Sequence, residues 1–239
     1  MIFRKAVLII HGFAGGTYDE EPLFFKLQNY LEFDVYNFTL PGHSINLSSD
    51  VKYEDWIKSV DDKINILIKL GYKKIYLIGH SMGGILATYA AIKYPQVDKV
   101  VLVAPAFTYL SMTNESDVVK VLKNASDVIK TYQAKEVVSR MLKVSVNQLK
   151  EFQELVKISK KNPSLLTQKT LIIHGTKDQL VPYESSEKIF KEMKCPKWII
   201  KVSNVTHDVF YGDKVEEICR EIIRFLKSNN YSAKNEREW

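Results

Sequence analysis

Short apolar runs, rich in Val, Ile, Leu and aromatics, occur at residues 4–10, 33–40, 74–78, 99–104, 170–173 and 198–202. Several are apolar throughout, which suits strands covered on both faces rather than strands with one wet side. Between them, residues 21–30, 53–70, 82–94, 184–193 and 214–226 are amphipathic. In the second of these, Trp56, Val60, Ile64, Leu67 and Ile68 recur at helical spacing, while Asp61, Asp62 and Lys63 fall mostly on the other side. Strand followed by helix, repeated along the chain, predicts a mainly parallel six-stranded sheet flanked by helices and joined by right-handed crossovers.

One segment breaks the alternation. Residues 107–169 contain no convincing strand, yet Val118, Leu122, Ala125, Ile129 and Tyr132 form one helical stripe, and Leu149, Phe152, Leu155 and Val156 form another. A structureless loop of that length is improbable in a compact domain, and the stripes require a packing partner. The expected organisation is therefore an α/β core made of residues 1–106 and 170–227, with a helical cap inserted at 107–169. The polar residues 228–239 are expected to fray.

Composition narrows the class. With 239 residues and 46% hydrophobic side chains, the chain is not disordered. Cys195 and Cys219 lack metal or disulfide-framework spacing, so free thiols in a reducing compartment are expected. The apolar start ends at His11, short of a signal-peptide core, and no run approaches a membrane span. A cytoplasmic protein without stable membrane insertion is the expectation.

The chemistry is concentrated in loops that follow predicted strands. Gly79-His80-Ser81-Met82-Gly83 lies between a strand and a helix, where small residues on either side of a serine permit a tight turn that holds Oγ clear of the sheet. A serine hydroxyl needs a base, and the base needs an orienting acid. In such a scaffold the acid and then the base follow the serine in chain order, each after a later strand. Asp178, just past residues 170–173, and His207, just past 198–202, fit that order. Of the five histidines, His11 and His80 sit inside other motifs, whereas His43 and His174 read as strand-end packing or turn residues. Asp208 reads as a solvated residue leading into the last helix. Backbone N–H groups of Met82, after the serine, and Phe13, in the glycine-rich loop at 11–16, are the candidate oxyanion donors. That loop lacks both G-x-G-x-x-G and a G-K-[ST] ending, so nucleotide binding is disfavoured.

Together, Gly79-His80-Ser81-Met82-Gly83-Gly84, His11-Gly12-Phe13, Pro41-Gly42-His43-Ser44, His174-Gly175-Thr176-Lys177-Asp178 and the late His207 resemble the α/β-hydrolase superfamily. Within it, the chain is similar to small bacterial carboxylesterases and their monoacylglycerol-lipase relatives. The resemblance implies ester hydrolysis by a covalent acyl-enzyme, with Ser81 as nucleophile, His207 as base, Asp178 as orienting acid and no cofactor or metal. A small-molecule ester with a short to medium acyl chain, or a monoglyceride, is the expected substrate. Phe13, Tyr109, Val181 and Val209 are expected around the acyl group. Acyl thioesters and aryl esters are the alternatives on the same scaffold, and a non-catalytic ligand receptor is a remote one.

Charge placement refines this picture. The net charge is +6, but residues 1–110 hold 11 basic and 11 acidic side chains, and residues 170–226 hold nine of each. Residues 111–169 hold 11 basic against 6 acidic. A basic cap on a neutral core argues against nucleic acid as a partner. Lysines solvating the outer faces of cap helices account for the excess, with weak contact to anionic surfaces as the other reading.

Overall fold

The structure, a computed structural model, describes residues 4–43, 50–108, 145–178, 180–231 and 236–239. All six expected strands are present: β1 (Lys5–Ile10), β2 (Phe33–Asn37), β3 (Ile75–His80), β4 (Val97–Val103), β5 (Lys169–Gly175) and β6 (Lys197–Val202). The helices of the core are α1 (Glu21–Gln28), α2 (Tyr53–Lys69), α3 (Met82–Lys93), α5 (Tyr183–Glu192) and α6 (Val215–Lys227). The second stripe of the insertion forms α4 (Val146–Ser159), whereas the first lies outside the described residues.

The tail departs from expectation. Glu236–Glu238 forms a seventh strand, β7, parallel to β6. Trp239 closes the pairing, donating its N–H to Lys201 O at 3.0 Å and accepting from Ser203 N–H at 2.7 Å. The polar composition that predicts fraying is also what an edge strand tolerates, because its outer side faces water.

The order β2-β1-β3-β4-β5-β6-β7 is parallel throughout. The chain leaves β1 in one direction to make β2 and returns to the other side of β1 as β3. The loops after β1 and β3 thus diverge, and this switch point opens a crevice at the carboxyl ends of the strands. Two apolar layers hold the sheet. Trp56, Val60 and Ile64 of α2, Ile85 and Leu86 of α3 and Ile189 of α5 cover one face. Leu23 and Leu27 of α1 and Ile218, Ile222 and Phe225 of α6 cover the other.

α4 belongs to the first layer, into which it buries Phe152 and Leu155. Ser145 caps its N-terminus, accepting from Gln148 N–H at 3.2 Å. Two contacts fix its seat beside the crevice: Gln148 Nε2 donates to Gly42 O at 3.2 Å, and Glu151 accepts from Tyr53 N–H at 3.1 Å. Its lysines, Lys150 and Lys157, are exposed, as expected for solvated outer faces.

β3 and α3 approach too closely for side chains. A Cβ on Gly79 would lie 2.2 Å from Gly83 O, and one on Gly83 would lie 2.1 Å from Ile10 O. Both obstacles are backbone, so relief requires moving α3 or β1. We expect Gly83→Ala to destabilise the fold by about 1–3 kcal/mol, as overpacking does. Urea unfolding would show it as a lowered midpoint, and an unchanged midpoint would mean that the turn yields freely.

Candidate active site

Ser81 sits between β3 and α3 with φ 53° and ψ −116°, a backbone conformation rarely occupied by residues other than glycine. The turn is held from both sides: Ser81 N–H donates to Val103 O at 2.9 Å, while Ser81 O accepts from Gly84 N–H at 3.0 Å and Ala106 N–H at 3.2 Å. Strain maintained by this many partners fixes where the hydroxyl points. Ser81, His207, Gly12 and Phe13 line one pocket, together with His80, Asp19 and Asp208.

Asp178 is buried at the end of the β5 loop, and its carboxylate is saturated with donors. Oδ1 accepts from the N–H groups of Leu180 at 3.0 Å and Val181 at 2.9 Å. Oδ2 lies 2.7 Å from His207 Nδ1 and 3.1 Å from His174 Nε2. Burial alone would raise this carboxyl, but the His207 charge and the hydrogen bonds from His174 and His207 outweigh it. The group is held well below the usual carboxylate range. The loops after β5 and β6 are joined through their backbones: Lys177 N–H donates to Val205 O at 2.8 Å, and a Cβ on Gly175 would stand 2.2 Å from that same oxygen.

His174, which reads from sequence as a strand-end packing residue, is the second support of Asp178. Its Nε2 faces two acceptors, Asp178 Oδ2 and Val181 O at 2.9 Å, and therefore carries a proton. Nδ1 lies 2.6 Å from Ser186 Oγ. The only sequence signal was the i, i+4 spacing of His174 and Asp178 across a loop, and that spacing is uninformative until the loop's course is known.

The loop at 11–16 is organised by His11. Leu40 N–H donates to Nε2 at 2.9 Å, so the ring proton is on Nδ1, which donates to Gly12 O at 2.8 Å. Gly15 N–H also donates to Gly12 O, at 3.2 Å. Because C=O and N–H point oppositely across a trans peptide, fixing the Gly12 carbonyl fixes the Phe13 N–H on the far side. Met82 N–H belongs to the first turn of α3, whose amides have no partner within the helix. The Phe13 ring stacks on Phe152 of α4, with centroids 4.8 Å apart, and the loop at 11–16 is thereby tied to α4.

The apolar residues expected around the acyl group fare differently. Phe13 lines the pocket, whereas Tyr109 lies outside the described residues. Val181 and Val209 are fully buried in opposite core layers, so neither presents a surface to the pocket. The apolar character that suggested acyl contact reflects core packing instead. Val181 serves the site through its main chain, which bonds Asp178 and His174. Asp208 is not only a solvated helix-leading residue, since it lines the pocket.

Sequence reasoning missed Glu20 altogether. It is buried, and Oε1 lies 3.0 Å from His80 Nδ1. Burial opposes charge on His80, but the hydrogen bond and charge of Glu20 prevail and raise it to about 9. Burial likewise pushes the Glu20 carboxyl up. Among the described residues, no group of three or more His, Cys, Asp or Glu side chains could hold a metal ion, and no helix is long and apolar enough to cross a membrane.

A strained serine after β3, an aspartate–histidine pair from the loops after β5 and β6, and an amide-rich loop after β1 share one crevice. The family model described as "Serine aminopeptidase, S33" matches residues 3–214. The chain belongs to that family. Its fold is the α/β-hydrolase fold. Over 231 residues it is 26% identical to a carboxylesterase of Bacillus subtilis, covering 93% of this chain and 92% of that protein. It is 25% identical over 211 residues to a thermostable monoacylglycerol lipase of Bacillus sp. (strain H-257), covering 84% and 82%. The crystal structure of the Paleococcus ferrophilus monoacylglycerol lipase superposes with a TM-score of 0.74 at 24% identity, covering 92% of this chain and 93% of that one.

His11 generates a prediction for stability. Burial, then the neighbouring His43, lowers it to about 3. Between pH 6.5 and about 3 the unfolded chain binds a proton at this site that the folded chain does not, so its contribution to stability falls as the pH falls. We expect His11→Gln to flatten the pH dependence of unfolding free energy between pH 6.5 and 5 by up to about 1.4 kcal/mol per pH unit. Parallel slopes for the two proteins in urea titrations would contradict a buried neutral His11.

Proposed function

We propose that the chain is a serine carboxylic-ester hydrolase acting through a covalent acyl-enzyme. The observation that carries this reading is the 2.7 Å contact of His207 Nδ1 with the buried Asp178 carboxylate, in the pocket that Ser81 lines. With Nδ1–H engaged by Asp178, His207 Nε2 is left as the base. It takes the Ser81 proton as Oγ bonds to the ester carbonyl carbon, and the oxyanion is met by the N–H groups of Phe13 and Met82. On collapse, the bond to the leaving alcohol breaks and His207 gives that oxygen its proton. Water then attacks the acyl-enzyme, with His207 again as base, releasing the acid and restoring Ser81. Asp178 stays ionised throughout, in keeping with its depressed carboxyl.

The carboxylesterase and monoacylglycerol lipase among the relatives support an ester substrate. Short to medium acyl esters or monoglycerides are the substrates of this reading, with the Phe13 phenyl ring, which lines the pocket and stacks on α4, as the apolar wall. In this reading residues 107–169 form a cap, and α4 is the part of it that seats the acyl side. A second reading follows from Asp19 and Asp208, which put two carboxylates in the pocket lining. They favour substrates carrying an ammonium group, such as amino-acid esters or the free amino end of a peptide.

Ser81→Ala is expected to reduce turnover of p-nitrophenyl butyrate by more than about 10³-fold with the fold intact, and a fluorophosphonate should label the peptide carrying Ser81. Substantial turnover without the hydroxyl, or labelling elsewhere, would remove Ser81 from the mechanism. A kcat/KM series over acyl length, with matched thioesters and amino-acid esters, is expected to peak at short to medium neutral esters. A peak at amino-acid esters that Asp19→Asn and Asp208→Asn abolish would establish the second reading.

A further inference from the structure

His80 occupies the position directly before the nucleophile, and its buried ring has both nitrogens engaged by protein groups. Its two ring nitrogens join three segments of chain. Nδ1 meets Glu20 Oε1 at 3.0 Å, from the turn that leads into α1, and Nε2 meets the main-chain oxygen of His207 at 3.0 Å. Only 2% of Glu20 and 6% of His80 are exposed. The rings of His80 and His207 lie with centroids 5.1 Å apart and planes 36° apart. His207 O accepts a second bond, from Val209 N–H at 2.9 Å.

We propose that Glu20 and His80 are a positioning pair for the His207 base: His80, locked by the buried Glu20, donates Nε2–H to the His207 carbonyl and sets the base loop against Ser81. The proposal rests on the reading of His207 as base. A carbonyl can only accept, so the contact requires the proton on Nε2. Glu20 enforces that state at Nδ1 in either arrangement of the proton they share, as a carboxylate accepting from an imidazolium or as a carboxylic acid donating to a neutral ring. A neutral histidine without that partner is free to move its single proton to Nδ1, which turns Nε2 into an acceptor facing an acceptor. His80 is also one residue from Ser81, so the bond to His207 O ties the base to the same rigid turn that fixes the nucleophile. Asp178 controls the direction of the His207 ring; His80 controls where its backbone stands. Apolar side chains of the same volume would fill this space at no greater energetic cost than a buried ion pair, so packing alone does not account for these two residues.

The test compares Glu20→Leu, Glu20→Gln and His80→Phe with wild type, by steady-state kinetics on p-nitrophenyl butyrate well below each protein's Tm. Glu20→Leu and His80→Phe are expected to lower kcat by about 10- to 100-fold with KM little changed, because a small displacement of the base affects the reacting geometry more than binding. Glu20→Gln is expected to recover kcat to within about threefold of wild type, since its amide N–H can donate to Nδ1 and keep the proton on Nε2. If Glu20→Leu matches wild type in kcat, or if Glu20→Gln is as impaired as Glu20→Leu, the pair has no positioning role. If His80→Phe does not fold, the Leu and Gln comparison at Glu20 decides the matter alone. Ser81→Ala and His207→Ala run alongside. Turnover surviving in either would overturn the triad reading and this inference with it, whereas their inactivity beside unimpaired Glu20 and His80 variants would overturn this inference only.

Discussion

Much of this molecule depends on how closely α3 approaches β3 and β1. Two glycines allow it: at Gly79 and Gly83 a single added carbon would stand 2.2 Å and 2.1 Å from backbone oxygens. The approach is what forces Ser81 into its positive φ, at a cost on the order of 1–3 kcal/mol. The sheet offsets that cost, because Val103 O, Gly84 N–H and Ala106 N–H hold the turn from β4, α3 and the following loop.

All five histidines of the chain stand at this end of the sheet, and each has a hydrogen-bonding partner on its ring. His11 donates to Gly12 O and accepts from Leu40 N–H, and burial keeps it neutral. His43 donates to Pro41 O and packs its ring on Phe13 and Trp56. His174 and His207 share one oxygen of Asp178. His80 pairs with Glu20 and is driven the opposite way from His11. Neighbouring imidazoles are thus driven in opposite directions because their surroundings differ, burial in one case and a buried carboxylate in the other. The loops after β1, β5 and β6 are each held by such buried side-chain contacts.

Helix α4 is part of this scaffold. Phe152 buries itself in the same layer as α2 and α3 while stacking on Phe13, so the α4 portion is continuous with the core. Gln148 and Glu151 anchor the same helix to the loop before α2 and to its first residue.

The sequence by itself determined six strands and five flanking helices, because each rests on a local pattern, and it singled out Ser81 by its turn and Asp178 and His207 by chain order as candidates. Apolar runs bounded by turns mark buried strands, helical stripes mark covered helices, and small residues around a serine mark a tight turn. Contacts between distant segments left no such mark. Glu20 and His80 are 60 residues apart, and His80 and His207 are 127 apart, so only the closing of the sheet could reveal them. Val181 and Val209 show the same limit from the other side. Apolar residues beside catalytic loops read alike whether they face substrate or core, and only the tertiary structure decided that they face the core. The tail was misread for a related reason: whether a polar segment frays or pairs depends on whether a neighbouring strand offers an open edge, and β6 does.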